Sequence, residues 1–221
     1  MIDLIRLAIG SISLSYAAYS DYKSREVKDI PWIIMGISGI ALLFFYDLKM
    51  AFFSMAIFFP ITIIMLLLIE FSLMGGADVK AMWGVMLLCP LPPEFFIFPL
   101  IKSPLFVFPL TILINSLIMV LPIPFAFFFL NAIKKNFEFP QCFLGYKMRA
   151  NEVVTKNKFV WSLEKDGKKR IFPVKDFDFK KFGEEELWVS PHLPLLVFVF
   201  FGYIVSFIFG DILFFLLSLF Q

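Results

Sequence analysis

The feature that most constrains the fold of this chain is a series of long apolar runs separated by short charged loops. Hydrophobic residues make up 60% of the chain, 32 residues are Phe, and the mean hydropathy is +0.87. A water-soluble domain of 221 residues could not cover so much apolar surface with polar groups. The chain is therefore predicted to be an integral membrane protein, with about five or six spans of ~20 residues and one modest water-facing part.

The apolar runs predict an all-α polytopic membrane protein with about six transmembrane helices. We interpret the first run as a retained span rather than a cleaved signal peptide, because Asp3 and Arg6 nearly cancel and leave no basic leading region. The fourth run is the least regular, and it either ends before Cys89 or continues unevenly toward Leu100. The predicted spans comprise residues 2–20, 30–46, 51–71, a run that begins at 79, 105–130 and 193–220.

Between the fifth and sixth spans lies a polar segment, residues 131–190. Two runs rich in β-branched and aromatic residues flank the pair Asp166-Gly167, which supplies the positive φ angles of a tight hairpin turn. We therefore predict a small β-rich cytoplasmic domain here. The predicted organisation is a transmembrane region at 1–130, the β-rich domain at 131–190 and the sixth transmembrane helix within 191–221.

The basic residues indicate how the chain is oriented. Thirteen of the 20 Lys and Arg residues lie in 131–190, and three more lie in the first loop. With six spans these segments and Lys80 share one side, and basic loops remain on the cytoplasmic side of a membrane. The sequence predicts a multi-pass protein of the cytoplasmic membrane whose polar domain faces the cytoplasm. A net charge of +2 without a basic stripe does not favour nucleic acid as a partner.

Two aspartates, Asp21 and Asp78, stand where an apolar run meets a polar loop, and two predicted spans separate them. An even number of crossings returns both to one face, which the charges make the cytoplasmic one. Two carboxylates that meet cannot both ionise easily, so the pair shares a proton. One member can then take a proton from water while the other gives one to a peptide carbonyl, as in aspartic proteases. In the plainer interpretation, Asp78 only caps the fourth helix and Asp21 only ends the first span.

The segments around these aspartates resemble those of the membrane aspartyl peptidases of the type IV prepilin peptidase and archaeal preflagellin peptidase family. The family signature is Gly-x-Gly-Asp-x-Lys, and in the family's first segment an Asp leads into a basic residue and then Ile-Pro. This chain has alanine at the second signature glycine, a small residue that would be strained at a positive φ. The matching residues are Gly75, Gly76, Ala77, Asp78, Val79 and Lys80 in one segment, and Asp21, Lys23, Arg25, Ile30 and Pro31 in the other.

The resemblance implies a membrane-embedded aspartic endopeptidase that removes a short basic leader from preflagellin or prepilin-like subunits near the cytoplasmic face. Its expected partners are that substrate and the lipid bilayer. Cys89 and Cys142 form no Cys-x-x-Cys pair, so we expect neither zinc nor another cofactor. The implied catalytic residues, which would share the acid and base roles, are Asp21 and Asp78, and the residues that would support the motif are Gly75, Gly76, Ala77, Lys80 and Arg25.

Two other functions are compatible with the sequence. A cation- or proton-coupled transporter could use the two aspartates to bind an ion or relay protons, although the charges cluster at one surface rather than deep within the spans. A non-catalytic assembly factor could use the β-rich domain for docking. Gly75 and Gly76 also form a plausible hinge, so the aspartates could rest apart and meet after a helix movement. The acidic run 184–186 could attract a basic leader or only balance nearby lysines.

Overall fold

A computed structural model describes residues 1–45, 47–70, 75–102, 104–155, 159–165, 167–174 and 177–220, with the side chain of Glu70 excepted. Parts of three sequence predictions lie outside these described residues. They are the end of the second span at Tyr46, the end of the third span at Phe71, and Asp166 of the hairpin turn.

The described chain is mostly helical, as its apolar runs predict. Each predicted span corresponds to one helix or to two consecutive helices. The helices are α1 (Ile2–Ser24), α2 (Ile30–Leu43), α3 (Leu48–Glu70), α4 (Gly76–Leu88), α5 (Phe108–Val120), α6 (Pro122–Ile133), α7 (Gln141–Leu144), α8 (Ala150–Thr155), α9 (Leu195–Ile208) and α10 (Ile212–Ser218).

Two helical stretches of the described residues are long and apolar enough to cross a membrane. They are Leu48–Ile69 in α3 and Phe108–Ile133, which comprises α5 and α6. The helices α2 and α9 are apolar but have only 14 residues each, and a membrane crossing requires about 20. The helical nature of the predicted spans is therefore confirmed, whereas the number of six spans is not.

Three of the predicted spans differ from the observed helices where Pro or Gly interrupts them. The fourth helix ends at Leu88, immediately before a Cys-Pro pair, so its continuation toward Leu100 is wrong. The fifth run divides into two helices because Pro122, which lacks an N–H donor, begins a new helix. The last run divides between α9 and α10, where Gly210 has a φ of +86°, a conformation that side chains disfavour.

The contacts divide the chain into two compact units. The first comprises Met1–Leu67, Met74–Val120 and Pro194–Gln221, and the second comprises Leu68–Leu73 and Leu121–Leu193. In the first unit α1 packs against α2 and α9, α5 packs against α9, and α4 packs against α2 and also contacts α1 and α9. The helices that carry the two aspartates, α1 and α4, are therefore neighbours. The division of the chain into membrane and cytoplasmic domains stays a prediction.

Close packing of α2 against α4 depends on Gly39. A Cβ atom placed on this glycine would lie 2.5 Å from the backbone carbonyl carbon of Leu87 and 2.7 Å from the backbone nitrogen of Leu88. Backbone atoms cannot move away as a flexible side chain can. A Cβ on Gly36, one turn earlier on the same helix, would lie 3.6 Å from a methyl group of Leu87, which is an ordinary contact. The pair thus distinguishes a required glycine from a replaceable one.

We expect Gly39→Ala to lower the free energy of unfolding by about 1–3 kcal/mol, because the added methyl forces α2 away from α4. Gly36→Ala is the matched control, and it should leave stability unchanged or slightly raised. Thermal unfolding of the purified protein in detergent micelles measures both. Equal stability of the two variants would contradict this account of the helix contact.

The second unit contains an antiparallel sheet whose strands lie in the order β1 (Tyr146–Arg149), β4 (Glu186–Pro191), β2 (Val160–Lys165) and β3 (Lys168–Val174). The predicted β-rich character of this part of the chain is confirmed. The strands β2 and β3 form the predicted hairpin, in which Lys165 lies opposite Lys168 and Gly167 has a φ of +71°. The buried side chains Leu163 and Trp188 pack together with Cys142 of α7 to form a core of this unit.

One carboxylate joins three strands of this sheet. Glu138 accepts hydrogen bonds from Lys169 of β3, from Lys147 of β1 at 3.0 Å and from the indole nitrogen of Trp188 of β4 at 2.8 Å. Hydrogen bonds from Lys169 and then Lys147 are the main causes that lower the pKa of Glu138 from 4.5 to about 2. The ionised form of Glu138 is therefore the one that stabilises the sheet.

We expect Glu138→Gln to weaken amide protection in β3 and β4 at pH 7, as measured by hydrogen–deuterium exchange on the full chain. Because the pKa of Glu138 is depressed in the folded state, its stabilisation is complete above pH 4.5 and is lost as the pH falls from 4.5 toward 2. The difference between wild type and variant should shrink over that window. Glu185→Gln, an exposed neighbour in the same unit, is the control and should exchange like wild type at each pH. A difference that persists unchanged below pH 3 would contradict the assignment.

Candidate active site

Asp21 lies in the last turn of α1, which continues to Ser24, so this aspartate is part of a helix rather than the start of a loop. The residue is 9% exposed. One carboxylate oxygen, Oδ1, lies 3.8 Å from Nη1 of Arg25, and the other, Oδ2, accepts the backbone N–H of Leu196 at 3.4 Å. Arg25 ends the helix with a φ of 60°, the left-handed conformation common at helix C-termini. This helix end thus places a cation beside Asp21.

Asp78 lies in the first turn of α4 and is 6% exposed. The N-cap residue is Gly75 and Asp78 is the third helical residue, so Asp78 caps a free N–H group as predicted, but from inside the helix. The Asp78 carboxylate reaches back and accepts the backbone N–H of Gly75 at 2.8 Å, while the Asp78 N–H donates to the Gly75 carbonyl at 3.1 Å. Because glycine has no side chain, this is a reduced capping box, in which the Gly75 carbonyl stands in for the N-cap side chain and the Asp78 carboxylate is held at the start of the helix.

The glycines of the motif have different local requirements. Gly75 has an extended backbone with a φ of −94°, and a Cβ there would lie 3.3 Å from Oδ2 of Asp78. Gly76 is the first residue of the helix, and a Cβ there would meet no described atom within 4 Å. Ala77 is helical as well and lacks a positive φ, so the alanine at this signature position causes no backbone strain.

The structure places Asp21 and Asp78 on two helices of the first unit that contact each other. The two carboxylates are close enough to interact electrostatically. Both carboxyl groups are largely buried. Charge interactions between buried groups are screened less than those between groups at the surface. Two such carboxyl groups favour a state in which one is ionised and the other protonated. This is the arrangement that acid–base hydrolysis of a peptide requires.

Lys80, the basic residue of the second motif, forms an ion pair with Asp29 at 2.6 Å. Asp29 is the residue that precedes α2, and Ile30 and Pro31 are the first residues of that helix. The two matching segments of the sequence therefore meet in space, since Lys80 of one contacts the residue before Ile30-Pro31 of the other. Both charged groups are about half exposed, so the pair contributes little to stability.

Two groups that contact the helices of this site escape prediction from the sequence. The first is the backbone N–H of Leu196 at the start of α9, which no side-chain motif signals. The second is Arg6, which is fully buried and hydrogen bonds to the backbone of Leu88, whereas the sequence shows only a charge in the first predicted span that Asp3 nearly cancels. The sequence signal for the buried Arg6 is its three-residue spacing from Asp3 near the start of an apolar helix. This spacing allows the two side chains to meet on one helix face.

The structure gives the single histidine a packing contact. The ring of His192 stacks on Trp161 with centroids 4.3 Å apart, and its backbone N–H donates to Phe159. Within the described ranges no three His, Cys, Asp or Glu residues are grouped as a metal site would require. Glu184, in the acidic run, pairs with Arg149 at 3.5 Å and bonds to the Asn151 side chain.

Comparison with known proteins identifies the class of protein that carries this site. Residues 8–131 match the profile of the Type IV leader peptidase family, and residues 150–212 match that of the Archaeal Peptidase A24 C-terminus Type II family. The first match covers more than half of the chain, including both aspartates. The chain belongs to the type IV leader peptidase family and is a peptidase. The resemblance inferred from the two aspartate segments is confirmed.

Several relatives within this family share nearly the whole length of the chain. The preflagellin peptidase of Methanocaldococcus jannaschii is 31% identical over 94% of this chain and 95% of its own length. The preflagellin peptidases of Methanococcus maripaludis and Methanococcus voltae are 29% and 30% identical, each over 94% of this chain and 96% of their own lengths. The similarity therefore extends through both units.

The two motif glycines provide a matched test of the site geometry. We expect Gly75→Ala to lower peptidase activity, because its Cβ would press on the carboxylate of Asp78 and disturb the capping box. We expect Gly76→Ala to retain activity and stability, because the added methyl meets open space in a helical residue. Leader cleavage by membranes that contain equal amounts of each variant measures the difference. Loss of activity in Gly76→Ala alone would indicate that this glycine serves a movement or the substrate.

Proposed function

We propose that this peptidase is a membrane-embedded aspartic endopeptidase that removes the basic leader of a preflagellin or prepilin-like subunit, with Asp21 and Asp78 as its catalytic pair. The single observation that carries the proposal is the burial of these two carboxylates, remote in sequence, on contacting helices and near enough for their charges to interact. The names of the relatives, all preflagellin peptidases, support the substrate class.

The chemistry needs only the two carboxyl groups and a water molecule. The ionised carboxylate takes a proton from water as the water oxygen attacks the carbonyl carbon of the scissile peptide bond. The protonated carboxyl gives its proton to the carbonyl oxygen, which forms a neutral tetrahedral intermediate. The aspartate that took the proton from water then gives it to the leaving nitrogen, while the other carboxylate takes a proton from a hydroxyl of the intermediate. The C–N bond breaks to give an amine and a carboxylic acid, and the pair again holds one proton.

The surroundings of the pair suit this division of work. Asp21 has Arg25 and the Leu196 amide as partners, and Asp78 lies at the positive end of α4. These partners hold both carboxyl groups in place before the substrate arrives. Positioned groups of this kind reduce the cost of reaching the reactive geometry. The role of Arg25 is then to orient Asp21 and to balance its charge.

Membrane embedding is supported by the apolar surface of α3. This helix includes a stretch long enough to span a bilayer, and large apolar side chains are exposed along it, among them Phe52, Phe59, Ile64 and Leu67. A water-facing helix does not expose such a surface along its whole length, whereas a lipid-facing helix does. Seventeen of the 20 basic residues fall on the side predicted to be cytoplasmic, which supports cleavage near the inner face.

Membership of a peptidase family favours hydrolysis over the transporter and assembly-factor alternatives. Asp21, at the C-terminal end of α1, and Asp78, at the N-terminal end of α4, lie on contacting helices, an arrangement that agrees with cleavage near one surface. The leader would approach from the side that carries Asp21, Lys80 and the loop between α1 and α2. The acidic run 184–186 is not proposed as a binding site for the basic residues of the leader, because Glu184 already has Arg149 and Asn151 as partners.

We expect Asp21→Asn and Asp78→Asn each to reduce leader cleavage by about 100-fold or more, because each removes one of the two proton-transfer groups. The assay incubates membranes containing the protein with a preflagellin and follows the shortened product by mass. Asn can still accept a backbone hydrogen bond, so the helix ends should persist. Asp47→Asn, which changes an aspartate at the start of α3 that bonds to the backbone of Lys49 and Met50, is the control and should cleave at the wild-type rate.

Alkaline extraction of the membranes checks that each variant is inserted. Wild-type cleavage by either Asp21→Asn or Asp78→Asn would exclude the pair as assigned. Release of the wild-type protein from the membrane by alkali would instead exclude membrane embedding.

A further inference from the structure

Arg6, near the start of α1, makes a set of buried contacts at the far end of α4 from Asp78. Its Nε donates to the carbonyl of Leu88 at 2.9 Å, and its Nη2 donates to the carbonyl of Leu91 at 2.8 Å. Its Nη1 forms an ion pair with Asp3 at 2.6 Å. The guanidinium is therefore fully buried without being left uncompensated.

One partner of Arg6, the carbonyl of Leu88, belongs to the end of α4, and the other, the carbonyl of Leu91, lies three residues beyond it. The last carbonyls of an α-helix have no intrahelical donors and carry the negative end of the helix dipole. Pro90, two residues beyond Leu88, has no N–H to offer them. A buried cation at this place thus binds the last carbonyl of α4, that of Leu88, and also the carbonyl of Leu91 in the segment that follows the helix.

A third helix joins the same contact. The hydroxyl of Tyr203 in α9 donates to the backbone carbonyl of Arg6 at 2.7 Å and lies 3.3 Å from the sulfur of Cys89. Gly10 of α1 faces the Tyr203 ring so closely that a Cβ there would lie 2.8 Å from its Cε1 atom. Arg6 therefore holds the position where α1, α9 and the end of α4 converge.

The same three helices converge again at the carboxylates. Asp21 is near the end of α1, Asp78 is in the first turn of α4, and Leu196 is in the first turn of α9. Arg6 and Asp21 are separated by about 22 Å along α1, at a rise of ~1.5 Å per residue. A shift of α4 along α1 at the Arg6 contact would therefore be transmitted through the stiff helix to Asp78.

We propose that Arg6 is a positioning residue for the carboxylate pair, which holds α4 at a fixed height against α1 so that Asp78 lies level with Asp21. This inference rests on the proposed catalytic role of the two aspartates. Arg6 lies outside both sequence motifs, and its proposed role is to set the separation of the Asp21 and Asp78 carboxyl groups. The residue does not touch the substrate and takes no part in proton transfer.

A second buried polar contact in the same unit provides the matched control. Asn115 of α5 donates to the hydroxyl of Ser206 and to the carbonyl of Gly210, both at 2.8 Å, and accepts the N–H of Ile212 at 3.2 Å. This contact joins α5, α9 and α10 but involves neither α1 nor α4. Its loss should destabilise the unit without moving Asp78 relative to Asp21.

The experiment compares Arg6→Met with Asn115→Leu in the full chain in membranes. We expect Arg6→Met to lower kcat for leader cleavage by about 100-fold, because small misplacements of reacting groups have effects of that size, with KM changed less than two-fold. We expect Asn115→Leu to lower the melting temperature but to keep kcat. Arg6→Lys retains the charge but not the planar guanidinium, and it should give an intermediate kcat. If Arg6→Met does not insert into the membrane, Arg6→Lys replaces it as the test variant.

A second readout does not depend on catalysis. Asp21→Cys and Asp78→Cys are introduced together, and the rate of disulfide formation is measured with and without Arg6→Met or Arg6→Lys; the two native cysteines are buried. We expect both Arg6 substitutions to change that rate several-fold and Asn115→Leu to leave it unchanged. An unchanged cross-linking rate in the Arg6 variants, or an equal change in Asn115→Leu, would overturn the inference. If the aspartates proved not to be catalytic, cross-linking would still show whether Arg6 sets their separation.

Discussion

The burial of charged groups among apolar helices is the constraint on which the first unit depends. A buried charge that loses its partner costs roughly 3–5 kcal/mol, so each one must be placed where the fold compensates it. Asp21 meets Arg25 and the start of α9, Asp78 meets the amide of Gly75, and Arg6 meets the last carbonyl of α4. Two of these contacts, that of Asp21 with α9 and that of Arg6 with α4, join different helices. The bonds that make burial tolerable therefore also determine how α1, α4 and α9 lie against one another.

The sequence predicts those parts of the structure that depend on local patterns. Runs of apolar residues predict the helices, and Asp166-Gly167 between two β-branched runs predicts the β2–β3 hairpin. Counting two helices between Asp21 and Asp78 predicts that both return to one end of the bundle, and the structure places them on contacting helices, near enough for their charges to interact. These inferences succeed because hydrophobic periodicity and turn chemistry are properties of short segments.

The partners of the site could not be predicted, because they come from distant parts of the chain. The amide of Leu196 lies 175 residues from Asp21, and the carbonyl of Leu88 lies 82 residues from Arg6. A backbone group has no sequence signature, so only tertiary packing shows which side chain it meets. The end of α1 could not be predicted either, because Arg25 adopts the left-handed conformation that glycine usually adopts at the end of a helix. Local propensity therefore places the aspartates, while long-range packing determines their surroundings.

The helix-capping and catalytic interpretations of Asp78 are compatible, because they use different oxygens of one carboxyl group. Its hydrogen bond to the Gly75 amide engages Oδ2. That bond holds the plane of the carboxyl group at the first turn of α4 and leaves Oδ1 outside the capping interaction. A carboxyl group fixed through one oxygen can exchange a proton through the other without losing its orientation. At Asp21 both oxygens have partners, since Oδ2 accepts the Leu196 amide and Oδ1 lies 3.8 Å from Nη1 of Arg25. The capping box would then be the means by which the backbone of α4 prepares Asp78 in particular for acid–base chemistry.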